Sequence, residues 1–230
     1  MQGKIVVIEG LDGSGKTTQL NLLKKSIKEM GLKYRHIHFP RLNEGYYGEL
    51  VAQFLRGEFG SLDMVHPKLV ALLFANDRKE HIDIINKWLE QGYIIIADRY
   101  VSSNIAFQCA KCSNEKERKE LKQWIYNFEY GYNMLPQPDI SFFLDVPFSA
   151  IVESLSNERV GKDRDYLDGK NDIHEDSVEL QKAVYNEYKE MTLLQNDFYS
   201  IDCSDDKGER LTPNVISEKM ISILTRENII

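Results

Sequence analysis

Three cysteines are all that the 230 residues contain, and the odd count with no repeated spacing excludes a disulfide framework. A reducing compartment, the cytoplasm, is therefore the expected location. Cys109 and Cys112 have C-x-x-C spacing, but a structural zinc site needs four ligands and neither a second such pair nor a matching histidine pair occurs. The five histidines, His36, His38, His66, His81 and His174, are scattered, with no spacing that points to a metal or a nucleophile. Long apolar runs are also missing. Ile5 to Ile8 is the longest near the start, too short for a membrane span or a signal-peptide core, so this segment is expected to be part of the fold. Positive charge is in deficit: 29 Lys and Arg against 36 Asp and Glu give −7. That balance argues against a nucleic-acid binder, whose affinity rests on a basic surface. A small anion can still be held by a locally basic cleft.

What is present is an ordinary globular composition, 42% hydrophobic and 28% charged, in a length that suits one α/β domain over residues 1–230. Apolar runs rich in β-branched residues alternate with stretches of helical period, the pattern of a parallel sheet covered on both faces. Four buried strands are predicted at Lys4–Glu9, Tyr93–Ala97, Asp139–Asp145 and Phe198–Asp202, and a fifth at Tyr34–Phe39. Helices are predicted at Lys16–Met30, stopped by Gly31, and at Pro67–Gln91, opened by a proline and closed by Gly92. Others follow at Asn114–Tyr130, Pro147–Asn157, His174–Leu194 and Pro213–Arg226. Glu158–Asp172, dense in charge and glycine, has too few apolar residues to bury a face and reads as a surface loop.

The sharpest motif is Gly10-Leu11-Asp12-Gly13-Ser14-Gly15-Lys16-Thr17, which fits G-x-x-x-x-G-K-[ST] and lies between a predicted strand and a predicted helix. Glycines let successive backbone N–H groups turn inward around an anion, and the helix N-terminus adds partial positive charge. Lys16 reaches the outer phosphates and Thr17 offers a hydroxyl to Mg²⁺. A nucleotide triphosphate is the implied ligand. No N-K-x-D sequence occurs, which counts against a guanine-nucleotide switch. The predicted strand Tyr93–Ala97 ends in Asp98-Arg99, and the C-terminal edge of an open parallel sheet faces the ligand crevice. Asp98 is thus expected in the Mg²⁺ shell and Arg99 on a phosphate.

Five matches in order make the chain resemble the thymidylate kinase family over nearly its whole length. They are Glu9 to Thr18; Phe39-Pro40-Arg41; Leu73-Phe74-Ala75-Asn76-Asp77-Arg78; Asp98-Arg99-Tyr100 with Ser102 to Gln108; and Leu135-Pro136-Gln137-Pro138-Asp139 leading into Phe142 to Val146. The resemblance implies a P-loop NTPase-like three-layer α/β/α fold with a five-stranded parallel sheet and a mobile lid. It also implies transfer of the ATP γ-phosphate to dTMP with Mg²⁺. Gly10, Asp12, Gly13, Ser14, Gly15, Lys16, Thr17 and Thr18 would bind ATP. Asp12 would also accept from the acceptor 3′-hydroxyl, Arg41 and Arg99 would hold the acceptor phosphate, and Phe74 would stack on the pyrimidine. Arg78, four residues on, would reach the thymine O4, Asn104 would read the polar edge of the base, and Gln108 would also bind dTMP. Phe107 stands where the family commonly has a tyrosine that disfavours a ribose hydroxyl.

The family closes a lid over ATP, and basic lid residues supply transition-state charge when the P-loop lacks an arginine. Here the P-loop has none, and the resemblance points to Arg159 and Arg164, with Lys162 and Lys170 nearby. A homodimer is implied by the resemblance alone. Two other readings remain at this stage: a UMP/CMP-type kinase, suggested by Phe107, and a non-catalytic nucleotide-binding switch.

Overall fold

The computed structural model describes residues 2–42, 44–62, 64–156, 166–168, 172–174 and 177–230. Five strands form one parallel sheet: β1 (Lys4–Glu9), β2 (Tyr34–His38), β3 (Ile94–Asp98), β4 (Ile140–Asp145) and β5 (Phe198–Asp202), in the order β2-β3-β1-β4-β5. Val6, Val7 and Ile8 of β1, Ile95 and Ile96 of β3, and Phe142 and Phe143 of β4 are all almost fully buried. Such runs do not alternate because helices cover both faces of the sheet. The neighbours of β1 on its two sides are β3 and β4, so the direction of strand winding reverses at β1. Its C-terminal end therefore opens into the crevice where such sheets bind ligands.

The helices are α1 (Lys16–Glu29), α2 (Gly45–Leu55), α3 (Pro67–Lys79), α4 (Ile82–Glu90), α5 (Val101–Cys109), α6 (Glu115–Tyr126), α7 (Phe148–Ser156), α8 (Val178–Leu194) and α9 (Pro213–Arg226). The strand predictions stand to within a residue at each end. The single long helix expected over Pro67–Gln91 is instead α3 and α4. At the break the His81 amide donates to the Arg78 carbonyl, a three-residue bond, while His81 Nδ1 lies 3.2 Å from the Asp77 carbonyl. The imidazole thus occupies the carbonyl that a continuing helix would have used, and its edge packs on Phe39. The helix expected over Asn114–Tyr130 ends as α at Tyr126 and runs on as a π-turn, Asn127–Tyr132, in which Asn133 N donates to Phe128 O at 2.8 Å. The helix expected from His174 starts at Val178, where Ser177 caps it by accepting from Leu180 N. Most of the charged loop Glu158–Asp172, Arg159, Lys162, Arg164 and Lys170 included, lies outside the described residues.

Candidate active site

Two adjoining clefts meet at the C-terminal end of β1. The wider, about 840 Å³, is walled by Lys16, Thr17, Asp98 and Arg41, and the narrower, about 150 Å³, by Phe74, Asn104, Phe107, Gln108 and His174. Asp12, His38, Pro40 and Arg99 line both.

The phosphate end is made by the turn from β1 into α1. Gly15 is the N-cap of α1 with φ 93°, a left-handed conformation that a side chain resists, and a Cβ there would also meet Arg210. The Arg210 Nη2 donates to the Ser14 carbonyl at 2.6 Å and ties the loop after β5 to the P-loop. Lys16 Nζ donates to the Gly10 and Leu11 carbonyls at 3.1 and 2.9 Å and lies 3.7 Å from Asp12 Oδ1. Burial, aided by the Arg99 charge, lowers the Lys16 pKa, against the pull of Asp12, Asp98 and Glu9. The Ser14 hydroxyl is buried with no hydrogen-bond partner.

At the end of β3, Asp98 Oδ2 lies 3.1 Å from His38 Nδ1, and Asp98 Oδ1 is buried without a hydrogen bond from the described residues. Burial acts to raise the Asp98 pKa, but the His38 hydrogen bond and the charges of Lys16 and Arg99 outweigh it and hold the carboxyl below its ordinary range. An ionised oxygen with no donor, beside the exposed Thr17, is a fitting place for a hard divalent cation. Mg²⁺ therefore suits the residues present. Arg99 has φ 62°, a strained conformation for a side-chain-bearing residue, costing about 1–3 kcal/mol. Its amide donates to the Ile8 carbonyl, and its Nη2 donates to Asp12 Oδ1 at 2.8 Å, so its charged fork is drawn to the P-loop.

Glu9, fully buried at the end of β1, joins the two halves. It accepts from the amides of Tyr100 and Ser103 at 2.9 and 3.2 Å, from Ser103 Oγ at 2.5 Å and from the Tyr188 hydroxyl at 3.0 Å. Tyr100 is the N-cap of α5, so a carboxylate from the P-loop strand caps the helix that walls the narrower cleft.

Arg41 approaches from the other side. Gly48 lets α2 pass close by, since a Cβ there would run into the Arg41 carbonyl. Asp77 Oδ2 accepts from the Arg41 amide at 3.0 Å. The guanidinium pairs with Glu44, yet its Nη1 is buried without a partner among the described residues, and burial lowers its pKa despite Asp77 and Glu80. An anion would complete it.

In the narrower cleft the Phe107 ring lies nearly parallel to His174, centroids 5.0 Å apart, and His174 is nearly parallel to Phe74 at 6.3 Å. His174 Nε2 is 3.0 Å from Lys111 Nζ, and burial together with that ammonium puts its pKa well below the ordinary value. His174, whose spacing in the sequence pointed to neither a metal nor a nucleophile, is thus a wall of the site. Arg78 departs from expectation in the opposite sense. It lines neither cleft; it is 1% exposed, with Nε and Nη2 donating to the two Glu129 oxygens at 2.7 and 2.5 Å. Two of the three nitrogens of its fork are taken by a buried carboxylate that the sequence did not flag, so the structure sets Arg78 against Glu129 rather than in the lining of either cleft. Thr18 is exposed and lines neither cleft. Glu9, His38, Glu129 and Arg210 were all missed as contributors; only Glu9 and His38 carried a signal, each adjoining a motif.

A phosphate-binding turn, a strand-end acid and base beside it, and an aromatic slot sharing the same wall define a P-loop phosphotransferase. A family profile described as thymidylate kinase matches residues 8–211. The chain is 30% identical over 191 residues to a thymidylate kinase of Plasmodium falciparum, covering 82% of this chain and 77% of that one. It is 31% identical over 208 residues to a probable thymidylate kinase 1 of Saccharolobus solfataricus, covering 90% and 93%. The fold is also that of a thymidylate kinase structure from Candida albicans, with a TM-score of 0.76 at 24% identity, over 99% of this chain and 93% of that one. The chain belongs to the thymidylate kinase family.

Proposed function

We propose that this chain moves the γ-phosphoryl group of ATP onto the 5′-phosphate of dTMP, giving ADP and dTDP, with the residues of the two clefts in distinct roles. ATP lies along the P-loop, its phosphates held by the backbone N–H groups of Gly10 to Thr18 and by Lys16. Mg²⁺ would be held by Thr17 and Asp98, and when bound it neutralises charge on the β- and γ-phosphates. Arg41 and Arg99 hold the acceptor phosphate, Asp12 accepts from the sugar hydroxyl, and Phe74 and Phe107 enclose the pyrimidine beside Asn104 and Gln108. Arg159 and Arg164 would add charge from the lid. Catalysis is in-line positioning plus fixed charge, with no covalent enzyme intermediate.

The observation that carries this reading is the common wall: Asp12 and Arg99, hydrogen-bonded to each other, face both the phosphate cleft and the aromatic cleft. A non-catalytic switch has no use for a second, ring-shaped slot against the first. The chain is proposed to act as a single kinase domain over 1–230, as a homodimer in the cytoplasm. Leu69, Tyr132 and Met134 expose 58%, 78% and 69% of their surface, apolar area that a second copy would cover. No helix among the described residues is long and apolar enough to cross a membrane.

Coupled ADP release with ATP, Mg²⁺ and a panel of dTMP, dUMP, UMP, CMP and AMP tests the assignment. Preference for dTMP is expected. Preference for UMP or CMP, the outcome favoured by Phe107 in place of a tyrosine, would keep the kinase and remove the deoxyribose reading. No ADP release with any acceptor would leave only the switch.

A further inference from the structure

The narrower cleft contains two amides of α5 four residues apart, Asn104 and Gln108, and each has one atom satisfied and one not. Asn104 Nδ2 donates to the Ala71 carbonyl at 3.0 Å and to Glu129 Oε1 at 2.8 Å, while Asn104 Oδ1 is buried with no hydrogen bond. Gln108 Oε1 accepts from Lys111 Nζ at 3.0 Å, while Gln108 Nε2 is buried with no hydrogen bond. The orientation of the Asn104 amide is forced, because both of its inner neighbours are acceptors and only an NH₂ group can face them. Of the two, the Ala71 carbonyl is backbone, whereas Glu129 is a side chain that could have been anything.

Glu129 is itself held. It is fully buried, and its two oxygens are engaged by Arg78 Nε and Nη2. It sits in the π-turn Asn127–Tyr132, the wide turn that interrupts the end of α6, a kind of irregularity that recurs at functional positions. A buried Arg–Glu pair costs desolvation that an apolar pair would avoid, so it is weak as a stabilising device. Its use is therefore sought in orientation.

We propose that Glu129, locked by Arg78, is a positioning residue that fixes the Asn104 amide with its carbonyl oxygen as the group left for the base. Resting on the pyrimidine-site reading above, this gives the cleft one free acceptor, Asn104 Oδ1, and one free donor, Gln108 Nε2. That pair matches an imide edge, in which a ring N–H lies beside a carbonyl, as in thymine and uracil. Cytosine offers a bare ring nitrogen where the imide has N–H, so it would set acceptor against acceptor. Arg78 then influences base choice through Glu129 as well.

Three proteins are compared with dTMP and dCMP as acceptors: the wild type, Asn104→Leu and Glu129→Leu. A single oxygen, Glu129 Oε1, accepts from both Arg78 Nη2 and Asn104 Nδ2, so a glutamine could still serve both, whereas a leucine offers Asn104 no acceptor and leaves the Ala71 carbonyl alone to orient the amide. Glu129→Leu is expected to lower the dTMP-to-dCMP ratio of kcat/KM by about tenfold, the size of one net hydrogen bond, with the KM for ATP unchanged. A ratio unchanged in Glu129→Leu but lowered in Asn104→Leu overturns the positioning role and keeps the base-site reading. A ratio unchanged in both overturns the base-site reading and the positioning role with it. Because Glu129→Leu could fail to fold, NMR of the wild type gives an independent answer. The Asn104 Nδ2 protons should stay protected and keep their shifts when dTMP binds; a large shift or loss of protection overturns the proposal.

Discussion

The two ends of the site are built in different ways. At the phosphate end the groups that face a ligand are mostly backbone, contributed by one continuous turn from Gly10 to Thr18, and side chains such as Lys16 already have partners in that turn. At the base end the groups are side chains from α3, α5 and the short segment around His174, and Asn104 Oδ1 and Gln108 Nε2 are left unsatisfied. The first end needs a shape that glycine permits. The second needs several elements to be fixed relative to one another before any ligand arrives.

This contrast can be broken most severely at the phosphate end. Lys16→Ala should reduce turnover at least about a hundredfold while thermal unfolding stays near that of the wild type, if its charge acts on the moving phosphoryl group as proposed. A near-normal rate would remove Lys16 from catalysis. At the base end Phe74→Ala should raise the KM for dTMP by about tenfold through lost stacking and area, with the KM for ATP unchanged. Equal effects on both substrates would mean that the two ends are not separable.

The smallest effect expected is on stability. His174 is kept neutral by burial and by Lys111, with Arg99 adding repulsion and Asp12 opposing it, so its folded pKa lies well below the ordinary value of 6.5. The stability it contributes is complete above that value. It is lost as pH falls, because the unfolded chain binds a proton that the folded chain refuses, with a slope of up to about 1.4 kcal/mol per pH unit. His174→Phe should flatten the decline of urea midpoints from about pH 7 to about pH 5.5 relative to the wild type. An unchanged decline would assign it to other groups.

The same contrast explains what the sequence disclosed. A turn whose residues are contiguous leaves its signature in order, so the P-loop and the strand feeding it were legible, as were β1, β3, β4 and β5 from their apolar runs; β2, YRHIH, has no such run and was still placed to within a residue. Helix α5 was not read as a helix, although its residues were singled out. All nine residues from Val101 to Cys109 are buried, and a helix covered all round shows no apolar stripe. Helix α2 was missed because Gly45 and Gly48 lie in its first turn, where they read as a loop. The pairing of Arg78 with Glu129 across 51 residues, and the stacking of His174 on Phe107, depend on how elements pack and leave no local pattern.

Glu9 gives this architecture a further property. Its carboxylate, on the last residue before the P-loop, fastens two amides at the start of α5, with the hydroxyls of Ser103 and of Tyr188 in α8 as further attachments. On the proposed placement of ATP along the turn and of the pyrimidine against α5, the spacing between the two nucleotides is therefore a dimension of the frame, set by this carboxylate when the chain folds. Closing motions elsewhere can exclude water or bring in charge, but they are spared the task of measuring the gap across which the phosphoryl group moves.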